Sequence, residues 1–317
     1  MIDVEIDGAF DDTAAERAEL VGMQRTGSRP PLFLIRTWHG EIAQQRTLAR
    51  HLDSEQPIYS VAPPRGDKPE DFPADAHAWA ELALSRLLMV PHTGPYLVGG
   101  WSFGGVIALE VGERLVRKGF DVALVAMLDT RRPKPRPQRR RGRDKRSALH
   151  KSAKRLDRFL ELGTRRERLD YLRRRSARRL EKLATRWSRL RGRSVRRSED
   201  VPLATPDVAT ERGIYVTMTG RRILQLQRAI WVAYVKYQPG GSALPVLQLR
   251  TAESELAAAD ATLGWGKSLH GDLESALVPG DHCTMFEEPN VVVLAQRLAD
   301  ALERASAKSA LAASRAR

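Results

Sequence analysis

The sequence has little that would suit it to an oxidising compartment or to a membrane. Cys283 is the single cysteine among 317 residues, so no disulfide can form within the chain. No run approaches the roughly 18 apolar residues of a membrane span, and the first residues are acidic, unlike those of a signal peptide. We therefore expect a cytoplasmic protein with no membrane span, and a chain long enough for one large α/β domain.

The most informative motif is Gly-Trp-Ser-Phe-Gly at residues 100–104, which fits the pattern Gly-x-Ser-x-Gly. Residues 96–99 predict a short buried strand before the motif, and residues 106–111 predict a helix after it. In this strand–turn–helix setting the central serine is exposed at a strained turn. Ser102 is therefore a candidate nucleophile, and the backbone N–H of Phe103 is a candidate oxyanion donor.

A serine nucleophile needs a base, and His282 is the best placed of the seven histidines. It follows a strand-like run at residues 273–278 and a Pro-Gly-Asp turn, and it precedes a final helical pattern. Its loop is expected to lie over the C-terminal edge of the sheet, where Ser102 should be. His39, in the loop after the first strong strand, is the rival candidate.

The base needs an acid to orient it, and Asp129 ends a continuous apolar run at residues 122–128. A carboxylate at the C-terminal tip of a parallel strand faces the same edge as the nucleophile. The alternatives are Glu253 and Glu255, which follow the next predicted strand at residues 246–249. The order serine, aspartate, histidine along the chain is that of α/β-hydrolases.

Together these features resemble the thioesterase domains of non-ribosomal peptide and polyketide synthases, within the α/β-hydrolase superfamily. The resemblance covers roughly residues 30–130 and 235–304. It implies an α/β fold with a mostly parallel sheet, helices on both faces and a helical lid insertion. The segments that carry it are residues 32–35, 48–52, 57–61, 100–105, 129, 264–266 and 279–282.

The resemblance implies a serine thioesterase that forms an acyl-Ser102 intermediate. The acyl or peptidyl group would come from the phosphopantetheine thioester of a carrier protein acting in trans, and water or an internal nucleophile would release it. Because the acid of this family follows the strand after the serine helix, Asp129 is favoured. The protein is expected to need no metal and no cofactor beyond the phosphopantetheine that its substrate carries.

The loop after the first strand departs from the family pattern. It is Thr-Trp-His-Gly at residues 37–40, where the family usually has Pro-x-Gly-Gly. The resemblance makes the backbone N–H of Trp38 the second oxyanion donor. The histidine at position 39, in place of a glycine, is expected to alter the loop and narrow the acyl entrance.

Charge is distributed very unevenly along the chain. Residues 131–200 hold 29 Lys and Arg against 8 Asp and Glu, a net charge of +21, which leaves −7 for the rest of a chain whose total is +14. Three interpretations stay open: a solvated helix face, a docking surface for an acidic carrier protein, or contact with nucleic acid or an anionic membrane. Few aromatics accompany these arginines, which argues against a stacking surface for single strands, and a nucleic acid is not the partner we expect. The candidate docking residues are Arg173, Arg174, Arg175, Arg178 and Arg179.

The pattern predicts five regions. They are an N-terminal extension (1–29), the first part of the hydrolase core (30–130), a basic linker and helical lid (131–237), the second part of the core (238–304) and a flexible tail (305–317). The lid is predicted to consist of helices at 147–190 and 208–237. Two other functions remain possible from the sequence: a carboxylesterase or lipase that takes oxygen esters, and a basic interaction module on a hydrolase scaffold with little turnover.

Overall fold

A computed structural model of the chain describes residues 19–38, 41–66, 68–133 and 220–315. The strands in these residues are β1 (Leu20–Gln24), β2 (Leu32–Ile35), β3 (Ile58–Val61), β4 (Tyr96–Trp101), β5 (Val122–Leu128), β6 (Val246–Thr251) and β7 (Leu273–Val278). The helices are α1 (Glu41–Ala49), α2 (Ala76–Leu87), α3 (Phe103–Arg117), α4 (Gly220–Lys236), α5 (Ala252–Ala258) and α6 (Asn290–Arg315).

The strands described form one sheet in the order β1-β3-β2-β4-β5-β6-β7. Strands β2 to β7 run parallel to one another, and β1 pairs antiparallel with β3 at the edge. The C-terminal ends of β4, β5, β6 and β7 therefore lie side by side along one edge. The turns, loops and helices that follow these four strands therefore begin at this edge.

Helices cover both faces of the sheet, because its strands are apolar on both sides. Successive residues of β2 point to opposite faces: Phe33 packs into one core and Leu34 into the other. The first core is closed by α2, α3 and α4, and the second by α1 and α6. This architecture confirms the predicted fold class.

Two predicted boundaries differ from the structure. The expected N-terminal extension, residues 1–29, contains β1, whose Val21 is buried and pairs with Ser60. The expected flexible tail, residues 305–317, is helical as far as Arg315. Alanine-rich sequence favours helix there, and Lys308 binds Asp272 at 2.6 Å.

The predicted lid is described only in part. The predicted lid helices within residues 147–190 lie outside the described residues, as do residues 208–219 of the last predicted lid helix. The described remainder of that last helix is α4, whose Tyr234 hydroxyl donates to the carbonyl of Arg131, just beyond β5, at 2.9 Å. The Tyr234 ring also meets Phe103 edge-on at 6.1 Å. No helix in the described residues has the length and apolar character needed to cross a bilayer.

A buried carboxylate joins α4 to α3. The hydroxyl of Tyr237, just after α4, donates to Glu110 Oε1 at 2.7 Å, while Arg114 and His77 contact Oε2 at 2.7 and 3.0 Å. Burial raises the pKa of the Glu110 carboxyl, but hydrogen bonds from Tyr237, Arg114 and His77 outweigh burial and lower that pKa. Glu110 is therefore an ionised anchor for the end of α4.

Replacing Tyr237 with phenylalanine should lower the free energy of unfolding by about 1.5–3 kcal/mol, because it removes a donor from a buried ionised acceptor. Urea denaturation followed by circular dichroism measures this change. Tyr59→Phe is the matched control, since the Tyr59 hydroxyl makes no hydrogen bond to the described residues and its ring stacks on Phe33. Equal losses in the two variants would show that the Glu110 bond does not anchor α4.

Candidate active site

Ser102 occupies a strained turn between β4 and α3. Its backbone angles are φ 55° and ψ −116°, which few residues other than glycine adopt. Its N–H donates to the carbonyl of Leu128 in β5 at 2.9 Å, which holds the turn against the neighbouring strand. The serine side chain makes no capping hydrogen bond to α3.

The glycines of the motif allow the strand and the helix to approach closely. A Cβ atom at Gly100 would lie 2.3 Å from the carbonyl carbon of Gly104, and one at Gly104 would lie 2.6 Å from the carbonyl oxygen of Ile35. Real Cβ atoms do not come so near to backbone atoms. The turn at Ser102 therefore depends on glycine at both positions.

Asp129 follows β5 directly, at a positive φ of 47°, and its N–H donates to the carbonyl of Leu249 in β6 at 2.6 Å. Its carboxylate is fully buried. Oδ1 accepts from the N–H and the hydroxyl of Thr251 at 3.0 and 3.3 Å, and Oδ2 accepts from the hydroxyl of Ser254 at 2.6 Å. These contacts come from the end of β6 and the start of α5.

His282 completes the surroundings of this carboxylate, with Nδ1 2.6 Å from Asp129 Oδ2. Burial raises the pKa of the Asp129 carboxyl, but hydrogen bonds from His282, Ser254 and the Thr251 N–H outweigh burial and lower that pKa. Because an ionised carboxylate can only accept, Nδ1 of His282 carries the proton. In a neutral ring Nε2 is then free to accept a proton.

The position of the His282 ring is fixed from two sides. The ring of Trp101, the residue before Ser102, packs on it with centroids 4.8 Å apart. Asp281 accepts from the N–H groups of Cys283 and Thr284, both at 2.9 Å, which closes the loop that carries the histidine. The loop after β7 and the end of β4 therefore meet at His282.

The structure brings together two of the three predicted catalytic residues by a direct bond. Among the described residues no hydrogen bond joins Ser102 to His282. The two are connected through Trp101, which precedes Ser102 in the chain and packs its ring on that of His282. Catalytic hydrogen bonds are often long before substrate binds, so the serine–histidine step stays a prediction.

The alternative acids lie elsewhere in the structure. Glu255 pairs with Arg250 at 3.1 Å, and Glu253 is exposed on α5. Neither forms a hydrogen bond to His282 among the described residues. The rival base, His39, lies outside the described residues, as do the five arginines proposed for docking.

The backbone N–H of Trp38 is paired within the chain in this structure, so its role as the second oxyanion donor stays a prediction. Its N–H donates to Glu41 Oε1 at 3.1 Å, and the N–H and hydroxyl of Thr37 donate to the same oxygen at 3.1 and 2.6 Å. Glu41 begins α1 and is buried, so its carboxylate takes up the donors of the preceding loop. Phe103 is the first residue of α3, and its N–H is one of those that a helix leaves without an internal acceptor.

Comparison with known proteins identifies the family. A family model described as a thioesterase domain matches residues 30–302. The chain belongs to the thioesterase domain family.

Relatives of this thioesterase domain are large synthases. It is 31% identical over 120 residues to atromentin synthetase nps3 of Serpula lacrymans, covering 38% of this chain and 12% of that protein. It is 33% identical over 125 residues to enterobactin synthase component F of Escherichia coli, covering 39% and 10%. The chain thus spans about a tenth of the length of these two relatives.

Solved structures show the same fold. The Vlm2 thioesterase domain bound with a dodecadepsipeptide matches with a TM-score of 0.52 and 20% identity, over 91% of this chain and 97% of that one. The NocB thioesterase domain, in covalent complex with a fluorophosphonate nocardicin G analogue, matches with a TM-score of 0.54 and 20% identity, over 88% and 95%. Both matches extend across nearly the whole domain.

The buried carboxyl of Glu41 makes the stability of the thioesterase domain depend on pH. Burial raises its pKa from 4.5 to about 7, despite hydrogen bonds from Thr37 and Trp38 that lower it. Between these pH values the folded protein binds more protons than the unfolded chain. The stabilising contribution is therefore fully present below pH 4.5 and is lost as pH rises through about 7.

Replacing Glu41 with glutamine should flatten this dependence, because the amide does not titrate. The free energy of unfolding of the parent should fall by roughly 3 kcal/mol more than that of the variant between about pH 4.5 and pH 8. Denaturant titrations at the two pH values measure the difference. Glu303→Gln, on the exposed side of α6, is the control and should keep the slope of the parent. An unchanged slope in Glu41→Gln would contradict the assignment.

Proposed function

We propose that this thioesterase domain releases an acyl or peptidyl group from a carrier-protein phosphopantetheine thioester through an acyl-Ser102 intermediate. The observation that carries the proposal is the 2.6 Å hydrogen bond between His282 Nδ1 and the buried Asp129 carboxylate, at the edge where the strained Ser102 turn lies. That bond leaves Nε2 of a neutral ring as the one nitrogen able to take a proton.

The reaction follows from these groups. The hydroxyl oxygen of Ser102 attacks the thioester carbonyl while Nε2 of His282 accepts its proton, and Asp129 stabilises the imidazolium that forms. The N–H of Phe103 donates to the oxyanion. The N–H of Trp38 donates to it as well, once the hydrogen bond from Trp38 to Glu41 is replaced by one to the substrate oxygen. The thiol leaves with the proton from His282, and water or a nucleophile within the acyl chain then attacks the ester on Ser102.

The competing functions share part of this chemistry. A carboxylesterase or lipase would use Ser102, His282 and Asp129 on an oxygen ester. An interaction module would bind its partner without using these residues for catalysis. The match to the thioesterase family supports the thioester, and the Vlm2 thioesterase domain, described with a depsipeptide bound, supports a peptidyl or depsipeptidyl group. The intact set of nucleophile, base and acid supports turnover over simple binding.

The mechanism is tested by the turnover of an acyl-pantetheine thioester, measured as the amount of free thiol released. Ser102→Ala and His282→Ala should reduce kcat to background, and Asp129→Asn should reduce it by roughly 10²- to 10⁴-fold, because the imidazole loses its tautomer and its counter-charge. Glu253→Gln is the control and should stay within about twofold of the parent, since Glu253 does not bind His282.

Two outcomes would contradict this account. If Glu253→Gln or Glu255→Gln disables the enzyme while Asp129→Asn does not, the acid lies one strand later. If the parent cleaves an oxygen ester with the same acyl group faster than the thioester, the esterase function replaces the thioesterase function.

A carrier protein in trans is the proposed partner, supported by charge. The +21 of residues 131–200 contrasts with −7 elsewhere, and acyl carrier proteins are typically acidic. Such a field mainly raises the rate of encounter and is screened over about 8–10 Å at physiological salt. The docking residues proposed are Arg173, Arg174, Arg175, Arg178 and Arg179.

Charge reversal at these five arginines should raise the apparent KM for a carrier-bound substrate and leave kcat close to that of the parent, because encounter and not chemistry is affected. Steady-state kinetics on a carrier-bound substrate and on a small soluble thioester separate the two effects, and rising salt should slow only the first reaction. Equal loss on both substrates would mean that the arginines maintain the structure, and no loss on either would make them a solvated face.

A further inference from the structure

The Asp129 carboxylate has a partner that the reaction itself does not use. The hydroxyl of Ser254 donates to Oδ2 at 2.6 Å, the same oxygen and the same distance as the bond to His282. Ser254 is fully buried in the first turn of α5, and its N–H donates to the hydroxyl of Thr251 at 3.3 Å. The cap of the helix thus sets where the serine hydroxyl lies.

Arg131 determines the direction of the Ser254 proton. Its Nη2 and Nε lie 2.9 and 3.3 Å from the Ser254 oxygen. A guanidinium can only donate, so the serine oxygen must accept from it. The single hydroxyl proton is then left for Asp129, and a positive charge lies one hydroxyl group away from the catalytic carboxylate.

The other carboxylate oxygen is held separately. Oδ1 accepts from the N–H and the hydroxyl of Thr251, so rotation of the carboxylate would break bonds on both oxygens at once. Without Ser254, the one bond left to Oδ2 among the described residues would be that to His282, whose side chain is 37% exposed. The plane of the carboxylate therefore depends on the hydrogen bonds from both Thr251 and Ser254, and the orientation of the imidazole depends on that plane.

We propose that Ser254 and Arg131 are positioning residues, which fix the Asp129 carboxylate and moderate the charge that it presents to His282. This inference rests on the proposed function, because it concerns the acid of that mechanism. Neither side chain touches the reacting atoms. Their effect on rate reaches Ser102 through Asp129 and His282.

Two consequences follow from the loss of this pair. A less firmly oriented carboxylate lowers the rate of proton transfer from Ser102, by roughly tenfold for one hydrogen bond to a charged group. A carboxylate with one donor fewer also holds the protonated imidazole more strongly. The acid limb of the rate profile should therefore move to higher pH.

Other ionisable groups that face this site stay in place in the variants tested. They are Asp281, which interacts with His282, and Cys283 beside it, which Glu287 and Glu253 affect in turn. Because these groups are common to all variants, a change in the pH profile reports on the Ser254–Arg131 pair alone.

The chain offers a matched control one residue away. Arg132 Nε donates to the hydroxyl of Ser268 at 3.0 Å, a second part-buried arginine–serine bond with no contact to Asp129 among the described residues. Arg132→Met and Ser268→Ala therefore remove the same kind of bond from the arginine next in the chain. Any general loss of stability caused by removing such a bond should appear in them too.

The experiment measures the rate at which a fluorophosphonate phosphonylates Ser102, across pH, because this reaction needs the serine and its base but no particular acyl substrate. Ser254→Ala and Arg131→Met should slow labelling by roughly tenfold and shift the acid limb upward. Arg132→Met and Ser268→Ala should match the parent. Ser254→Thr, which keeps a hydroxyl, should label faster than Ser254→Val, which has the same shape without one.

The outcomes separate this inference from the proposed function. If the parent is not labelled at Ser102, the proposed function fails. If the parent is labelled and the Ser254 and Arg131 variants behave like their controls, or the threonine and valine variants are equally slow, the positioning pair is overturned. Arg131 is half-buried, so Arg131→Met disturbs the core less than a change at the buried Ser254. The Arg131 variant therefore still tests the inference if a Ser254 variant does not fold.

Discussion

The burial of the Asp129 carboxylate is the constraint on which the site depends. A buried carboxylate is costly unless its oxygens are hydrogen bonded, and each donor here comes from a different part of the sheet edge. Thr251 ends β6, Ser254 begins α5, and His282 follows β7. One charge thus ties together the ends of three neighbouring strands, which keeps the candidate base in a fixed place relative to the candidate nucleophile.

Backbone strain at this edge is supported in the same way. Ser102 and Asp129 both have positive φ, and each follows the end of its strand. The N–H of each donates to the neighbouring strand, to Leu128 in β5 and to Leu249 in β6. Each strained residue is therefore anchored to the strand beside it, and the parallel sheet holds both side chains at its C-terminal edge.

Much of this arrangement could be predicted from local sequence. The apolar run at residues 122–128 and the strand-like run at residues 273–278 match the bounds of β5 and β7, and turn chemistry predicted Ser102 and His282 at the same edge. The partners of these residues could not be predicted, because they depend on which strands become neighbours: Ser254 reaches Asp129 across 125 residues of chain. Glu41 lies in the first turn of α1, and its local sequence does not indicate that its carboxylate accepts from the N–H of Trp38.

Mass spectrometry of the protein, quenched in acid shortly after exposure to an acyl-pantetheine thioester, tests the central claim most directly. The account predicts an acyl adduct on the peptide that contains Ser102 in the parent protein, and no such adduct in the His282→Ala variant, which lacks the base that activates the serine. Consumption of the thioester with no adduct on Ser102, or with the acyl group on Cys283, would contradict it.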